Sequence, residues 1–186
     1  PISGGELHQQ RSFLAGRLGT AIASDKLTLI DVPDIPRGLG SRPWDGDALK
    51  AKRMPVIENG VLQNYYINTY YGRKLGMPTT SGGRSNWVVS PGARSPAEIL
   101  RDVPKCIIVT GFLGGNSNGL TGDFSFGVQG LLVENGSVTA HVGEMNVSGK
   151  LEDVLKSIVE PANDVWKWSS LWSPSLLFEN VQFSGT

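Results

Sequence analysis

The sequence predicts an α+β fold, a mainly antiparallel β-sheet or barrel-like sheet with a few short peripheral helices. Glycine (24 residues) and proline (11) are frequent enough to cut the chain into short elements and many turns. Asn59-Gly60 and Asn135-Gly136 each stand between apolar runs. That is the pattern of a two-residue hairpin, because a type I′ turn needs positive φ at both central positions. Stretches with helical spacing are short.

Taken in order, Ser3 can cap a helix and Glu6 can reach back to it. Leu7, Leu14 and Leu18 then share one face, so the expected helix runs over residues 3–17 and stops near Gly19. Residues 27–30 read as a short strand. Residues 31–46, with Pro33, Pro36, Pro43, Gly38, Gly40 and Gly46, read as a long loop of the kind that is usually functional or interfacial. A hairpin is expected over 54–62, and a helical turn ends at Gly76. Trp87, Val88 and Val89 form a brief apolar piece between loop-like flanks. Ser95, Pro96 and Glu98 again have capping-box chemistry, giving a short helix that ends near Pro104.

Residues 106–110 form a β-branched strand, followed by a Gly/Asn loop over 111–119. Strands follow at 123–128 and 130–134, and a return strand at 138–147. Leu151, Val154, Leu155 and Ile158 lie on one face of a helix terminated by Pro161. Residues 175–178 and 181–183 end the chain as short strands. The two hydrophobic-Glu-Asn-Gly hairpins resemble each other, but independent hairpins use the same dipeptide, so duplication remains one of two readings.

Lys plus Arg and Asp plus Glu are both 17, a formal net charge of zero, which argues against a duplex-DNA partner. No apolar run approaches the roughly 20 residues that span a bilayer. The single cysteine, Cys106, rules out an internal disulfide and fits a reducing, cytoplasmic compartment. A first residue Pro1 in place of Met suggests a piece of a longer protein.

Few residues suggest chemistry of their own. A catalytic zinc normally takes three protein ligands, and the two histidines, His8 and His141, fall in different elements with no His-Glu-x-x-His spacing. Cys106 lies in an apolar run, where burial makes a thiol inert. Gly143 to Lys150 imitates a phosphate loop, but five residues separate the glycines and Leu151 replaces the Ser or Thr. Gly114, Gly115, Asn116, Ser117, Asn118 and Gly119 read either as an anion cradle or as a plain turn. Asp123 reads as a hydrogen-bond centre where that segment enters a strand. Trp166, Trp168 and Trp172 read equally well as core and as partner surface.

Five blocks in series carry a resemblance. They are Arg37-Gly38-Leu39-Gly40-Ser41-Arg42-Pro43-Trp44-Asp45-Gly46, Val56-Ile57-Glu58-Asn59-Gly60-Val61-Leu62 and Tyr70-Tyr71-Gly72-Arg73-Lys74-Leu75-Gly76. Thr121-Gly122-Asp123-Phe124-Ser125-Phe126-Gly127 with Val133-Glu134-Asn135-Gly136 follows, then Asn163-Asp164 with Ser173-Pro174-Ser175. In this order they resemble the TldD/PmbA family, once called modulators of DNA gyrase. The resemblance implies a zinc metallopeptidase built as a heterodimer around a cavity that takes unfolded or small peptides. In it, the TldD-like subunit carries zinc on a His-Glu…His motif and a Cys near its C-terminus.

This chain lacks those ligands: residues 165–176 contain no Cys, and Cys106 falls in another block. It therefore resembles the C-terminal part of a TldE/PmbA-like subunit spanning 1–186, with 1–30 as a remnant of a preceding region. The expectations are a non-catalytic subunit with no cofactor of its own and zinc on a TldD-like partner. That partner completes a heterodimer, with self-association as the alternative. A β-rich interaction module and a fragment of a divergent catalytic chain are the other readings. An exposed strand edge would suit an extended peptide. The residues expected to line a groove or interface are Asn116, Thr121, Asp123 and Phe124.

Overall fold

The computed structural model describes residues 1–185. Its elements in chain order are α1 (Gly4–His8), β1 (Leu29–Val32), β2 (Met54–Glu58), β3 (Val61–Leu62), α2 (Thr69–Leu75), β4 (Asn86–Val89) and α3 (Pro96–Asp102). Then come β5 (Lys105–Ser117), β6 (Asp123–Glu134), β7 (Ser137–Lys150), α4 (Leu151–Lys156), β8 (Ile158–Pro161), β9 (Leu171–Trp172), β10 (Leu176–Phe178) and β11 (Phe183–Ser184). The class is α+β and mainly antiparallel. The sheets stay open, in the orders β3-β2-β1-β4-β9, β10-β8 and β11-β7-β6-β5, so the barrel-like alternative is not realised among the described residues.

The five-stranded sheet is the body of the molecule. β1 lies at its centre, pairing Leu29 with Ile57 of β2 and Val89 of β4. The β2–β3 turn is the expected hairpin, with Asn59 at φ 47° and Gly60 at φ 79°. Ile22, Val56, Leu62 and Ile67 are fully buried, and Leu155, Leu176 and Phe178 pack on the same core from the C-terminal elements. Residues 1–30 belong to this core through Leu14, Ile22, Ala23, Leu27 and Leu29.

The capping chemistry is complete at α3 and half formed at α1, where Ser3 accepts from Glu6 N but the Glu6 carboxylate turns to Arg11 instead of reaching back. Ser95 and Glu98 form a complete capping box on α3, Asn68 caps α2, and Gly76 ends α2 at φ 64°. The N-terminal helix is much shorter than expected. Gln10 turns to φ 55° just after α1. The Tyr65 hydroxyl then donates to the Leu14 carbonyl and accepts from Arg17 N, taking groups a helix would have used. α4 also stops early, at Lys156, and Pro161 lies in β8, where it pairs with Leu176.

The other corrections fall in the four-stranded sheet. Residues 111–117 are not a loop but the second half of β5, in register with β6 from Gly111↔Gln129 to Ser117↔Phe124. Gly115 sits at φ 153° and a methyl there would overlap the Ser125 carbonyl, so glycine serves close strand contact instead of a turn. The two strands expected at 123–134 are one, with a bulge between Val128 and Gly130. β5, β6 and β7 thus form a long three-stranded arm, with β11 pairing β7 at Val147 and Asn146.

Candidate interaction surface

Two regions carry the polar and apolar features from which a site is built. The first is a buried polar cluster between the body and the long loop of residues 33–53. Asp31, 2% exposed, accepts from Ser85 N at 2.9 Å and from the Tyr66 hydroxyl at 2.7 Å. The Tyr66 oxygen in turn accepts from Trp87 Nε1 at 2.6 Å. Burial pushes the Asp31 carboxyl above its usual range, against the pull of those donors. Burial and the Asp31 carboxylate together raise the Tyr66 phenol.

Asn86 extends the cluster by accepting from Gly40 N and donating to the Val32 carbonyl, both at 2.8 Å, and to Ser41 Oγ at 2.9 Å. A methyl on Gly40 would collide with the Ser85 carbonyl. These contacts explain the Gly-rich spacing of the loop: its backbone lies directly against β4. Every donor in the cluster has an acceptor, so it holds the loop and leaves no open valence for a ligand. The loop then displays Leu39 and Trp44 on the surface.

The second region is the arm. Of its strand residues only Val128, Gly130, Val133 and Val147 are buried. It meets the rest of the chain mainly at its ends. At one end Phe13 N donates to Gly119 O at 3.1 Å and Leu151 N to Gly122 O at 2.8 Å. At the other, Asn135 N donates to Pro104 O at 2.8 Å.

Cross-strand partners share a face. Phe112, Val128 and Met145 therefore lie together, beside Phe126 with Val147 and Phe124. The Phe124 and Phe126 rings stack at 6.0 Å, and Phe112 meets Phe126 edge-on at 5.7 Å. Farther along, Ile107 with Leu132 and Ile108 with Leu131 put apolar side chains on both faces. An open groove of about 440 Å³ crosses the arm at its bulges, lined by Thr110, Gln129, Gly130, Leu131, His141, Val142 and Gly143.

The four residues read from the sequence gather near one end of the arm but not into one pocket. Thr121 Oγ1 donates to Asp123 Oδ2 and accepts from Asp123 N, so these two satisfy each other within the β5–β6 turn. Phe124 lies on the phenylalanine face. Asn116 pairs with Ser125, the neighbour of Phe124, and so points to the opposite face. Their arrangement suits a contact surface better than a groove.

The donor set for a metal does not fit. Among the described residues no three His, Cys, Asp or Glu side chains come together. His8 ends α1 beside Tyr71, His141 lies across from Leu131, and Cys106 lies across from Val133. Burial raises the Cys106 thiol, which makes it a poor nucleophile. Trp166 and Trp168 are exposed, while Trp172 is partly buried under Lys167, with no acceptor for its Nε1. No helix among the described residues is long and apolar enough to cross a membrane.

The two-faced apolar arm was missed at the sequence level. Its signal was present: the runs at 106–109 and 131–133 do not alternate, which marks strands covered on both faces.

Comparison with known proteins adds a consistent set of relatives. The family described as PmbA/TldA metallopeptidase C-terminal domain matches residues 1–185. The "Metalloprotease PmbA homolog" of Haemophilus influenzae is 35% identical over 187 residues, covering 99% of this chain and 42% of that protein. "Metalloprotease PmbA" of Escherichia coli O157:H7 is 32% identical, over 99% of this chain and 41% of its own length. A solved structure of a candidate modulator of DNA gyrase from Bacteroides thetaiotaomicron superposes with a TM-score of 0.95 at 43% identity, covering 100% of this chain and 42% of that one. TldE from Thermococcus kodakarensis gives 0.91 at 25% identity, over 99% and 45%.

Proposed function

The chain belongs to the PmbA/TldA metallopeptidase C-terminal domain family, and from that membership we propose that it is the C-terminal part of the non-catalytic subunit of a two-subunit zinc metallopeptidase acting on unfolded or small peptides. The observation that carries this reading is the arm. A sheet apolar on both faces is normally covered on both, and here Phe112, Leu113 and Val138 stand more than half exposed. A second subunit, TldD-like and carrying the zinc, is the cover this reading assigns.

Zinc on that subunit would polarise the scissile carbonyl and activate water. The residues of this chain shape the enclosure around it, with the arm, Asn116, Thr121, Asp123 and Phe124 at the contact. The zero net charge suits an apolar contact without long-range steering. The lone free thiol of Cys106 agrees with work in the cytoplasm.

The test is hydrolysis of an unstructured peptide by this chain alone and mixed with a TldD-like subunit, together with the zinc content of each. Hydrolysis only in the mixture, with zinc on the other subunit, is expected. Hydrolysis or stoichiometric zinc in this chain alone would contradict the proposal and favour a divergent catalytic subunit.

A further inference from the structure

The zero net charge of the chain conceals a segregation. Residues 33–84 hold eight of the 17 Lys and Arg but four of the 17 Asp and Glu, and the rest of the chain carries the matching acidic surplus. Among the described residues none of those eight cations forms an ion pair with a carboxylate, whereas six of the other nine do. Two of the four carboxylates face backbone and hydroxyl donors instead. Asp45 accepts from Asp47 N and Leu49 N at 2.9 Å and from Gly82 N at 3.2 Å. Asp47 accepts from Thr69 N at 2.6 Å and from the Thr69 hydroxyl at 2.7 Å. These bonds join the long loop to α2 and to the segment before β4.

The same loop exposes apolar side chains among its cations. Leu39 is 75% exposed, Trp44 58% and Leu49 41%. Residues 43–51 form a small hairpin, in which Asp45 N donates to Leu49 O at 2.8 Å, Ala51 N donates to Pro43 O at 3.0 Å, and Trp44 pairs with Lys50. Directly opposed residues of an antiparallel pair share a face, so the Trp44 indole and the Lys50 ammonium leave the hairpin together. Arg42 adjoins it. Its guanidinium donates to Ser85 Oγ at 3.3 Å, Ser81 Oγ at 3.4 Å and the Gly83 carbonyl, all neutral acceptors. With Pro33, Asp34, Ile35, Ser41 and Pro43 it lines an open groove of about 310 Å³. On α2 the exposed Tyr70 ring carries the Lys74 ammonium at 5.7 Å.

Unpaired cations interleaved with exposed tryptophan, tyrosine and leucine fit one kind of partner. The headgroup layer of a bilayer offers phosphates to Lys and Arg and, just beneath them, hydrocarbon to leucine and indole. A nucleic acid would use the cations and stack on Trp44, but it gives Leu39 and Leu49 nothing to bury against. We propose that residues 37–53 seat this chain on an anionic lipid surface, with Leu39, Trp44 and Leu49 entering the headgroup layer and Arg42, Lys50, Lys52 and Arg53 on its phosphates. The contact uses neither the arm nor a zinc, so it does not depend on the peptidase reading.

The test is flotation of the chain with vesicles of mixed phosphatidylglycerol and phosphatidylcholine, against vesicles of phosphatidylcholine alone. Binding to the anionic vesicles that weakens as salt is raised is expected, with little binding to the neutral ones. Lys50→Gln with Lys52→Gln should lower the partition coefficient by about tenfold or more, since each basic residue near such a surface is worth roughly a factor of five. Leu39→Ser with Trp44→Ser should lower it by about tenfold through lost apolar burial. Lys26→Gln, outside the loop and paired with Asp25 at 3.4 Å, should leave it unchanged. All of these side chains are exposed, so circular dichroism should be the same for every variant.

Absence of binding to the anionic vesicles, or equal binding to both kinds, would overturn the proposal. So would loss of binding in Trp166→Ser with Trp168→Ser but not in Leu39→Ser with Trp44→Ser, which would move the contact to the exposed tryptophans before β9. Binding of a single-stranded oligonucleotide or of polyglutamate, without vesicle binding, would overturn it by assigning the cations to another anionic partner. Peptide hydrolysis with a catalytic subunit is scored separately, so either reading can fail without the other.

Discussion

The body closes its apolar surface within the chain, with Leu62 at 0% and Ile22, Val56 and Ile67 at 1% exposure, whereas the arm leaves Phe112 at 66%, Leu113 at 58% and Val138 at 57%. Both regions are antiparallel sheets of apolar strands. The body is wrapped by residues 11–27, α2, α4 and the C-terminal strands, while the arm is held mainly at its two ends. On the proposed reading, stability and interaction fall to different parts of one chain. Substitutions should divide the same way.

The largest effect is expected in the body. Leu62→Ala removes a fully enclosed side chain and should cost about 2–5 kcal/mol in chemical denaturation. A loss below that range would mean the body is looser than its burial implies. Next is the polar cluster. Tyr66→Phe leaves Trp87 Nε1 without an acceptor and takes a donor from Asp31, for a loss of roughly 1–3 kcal/mol read the same way.

A smaller, pH-dependent effect belongs to Glu152. Its carboxylate is held down at about 2 by the Arg17 guanidinium, whose two bonds measure 3.0 and 3.2 Å, and by Lys156 at 2.6 Å. A carboxyl that is more acidic folded than unfolded stabilises the fold above its unfolded pKa of about 4.3. That contribution fades as pH falls from there through about 2. Glu152→Gln should therefore cost about 0.5–1 kcal/mol at pH 7, an amount kept small by partial exposure, with the difference closing in acid. A gap that persists at pH 2 would assign the effect to packing.

The smallest effect should be in the arm. Leu113→Ser should change stability by less than about 0.5 kcal/mol in the chain alone. A loss comparable to Leu62→Ala would erase the distinction between the two regions.

Features fixed by local chemistry were legible in the sequence. The Asn-Gly hairpins, the capping box at Ser95 and the left-handed stop at Gly76 depend on residues within a few positions, and all appear. Features set by distant partners were not. Nothing local says that Tyr65 will capture the backbone at Leu14 and Arg17 and cut the first helix short. Gly111 to Gly119 read as a loop because glycine usually marks one, yet β6 holds that segment extended to Ser117. The candidate residues Asn116, Thr121, Asp123 and Phe124 fall near one end of the arm. Their separation onto two faces follows from a register visible only once the strands are paired.

The most direct test of the division is amide hydrogen exchange along the chain, alone and mixed with a TldD-like subunit. The body strands β1, β2 and β4 should be protected in both samples, and β6 and β7 of the arm should gain protection on mixing. Arm protection that does not change on mixing, while the mixture hydrolyses peptide, would contradict the account and place the subunit contact elsewhere.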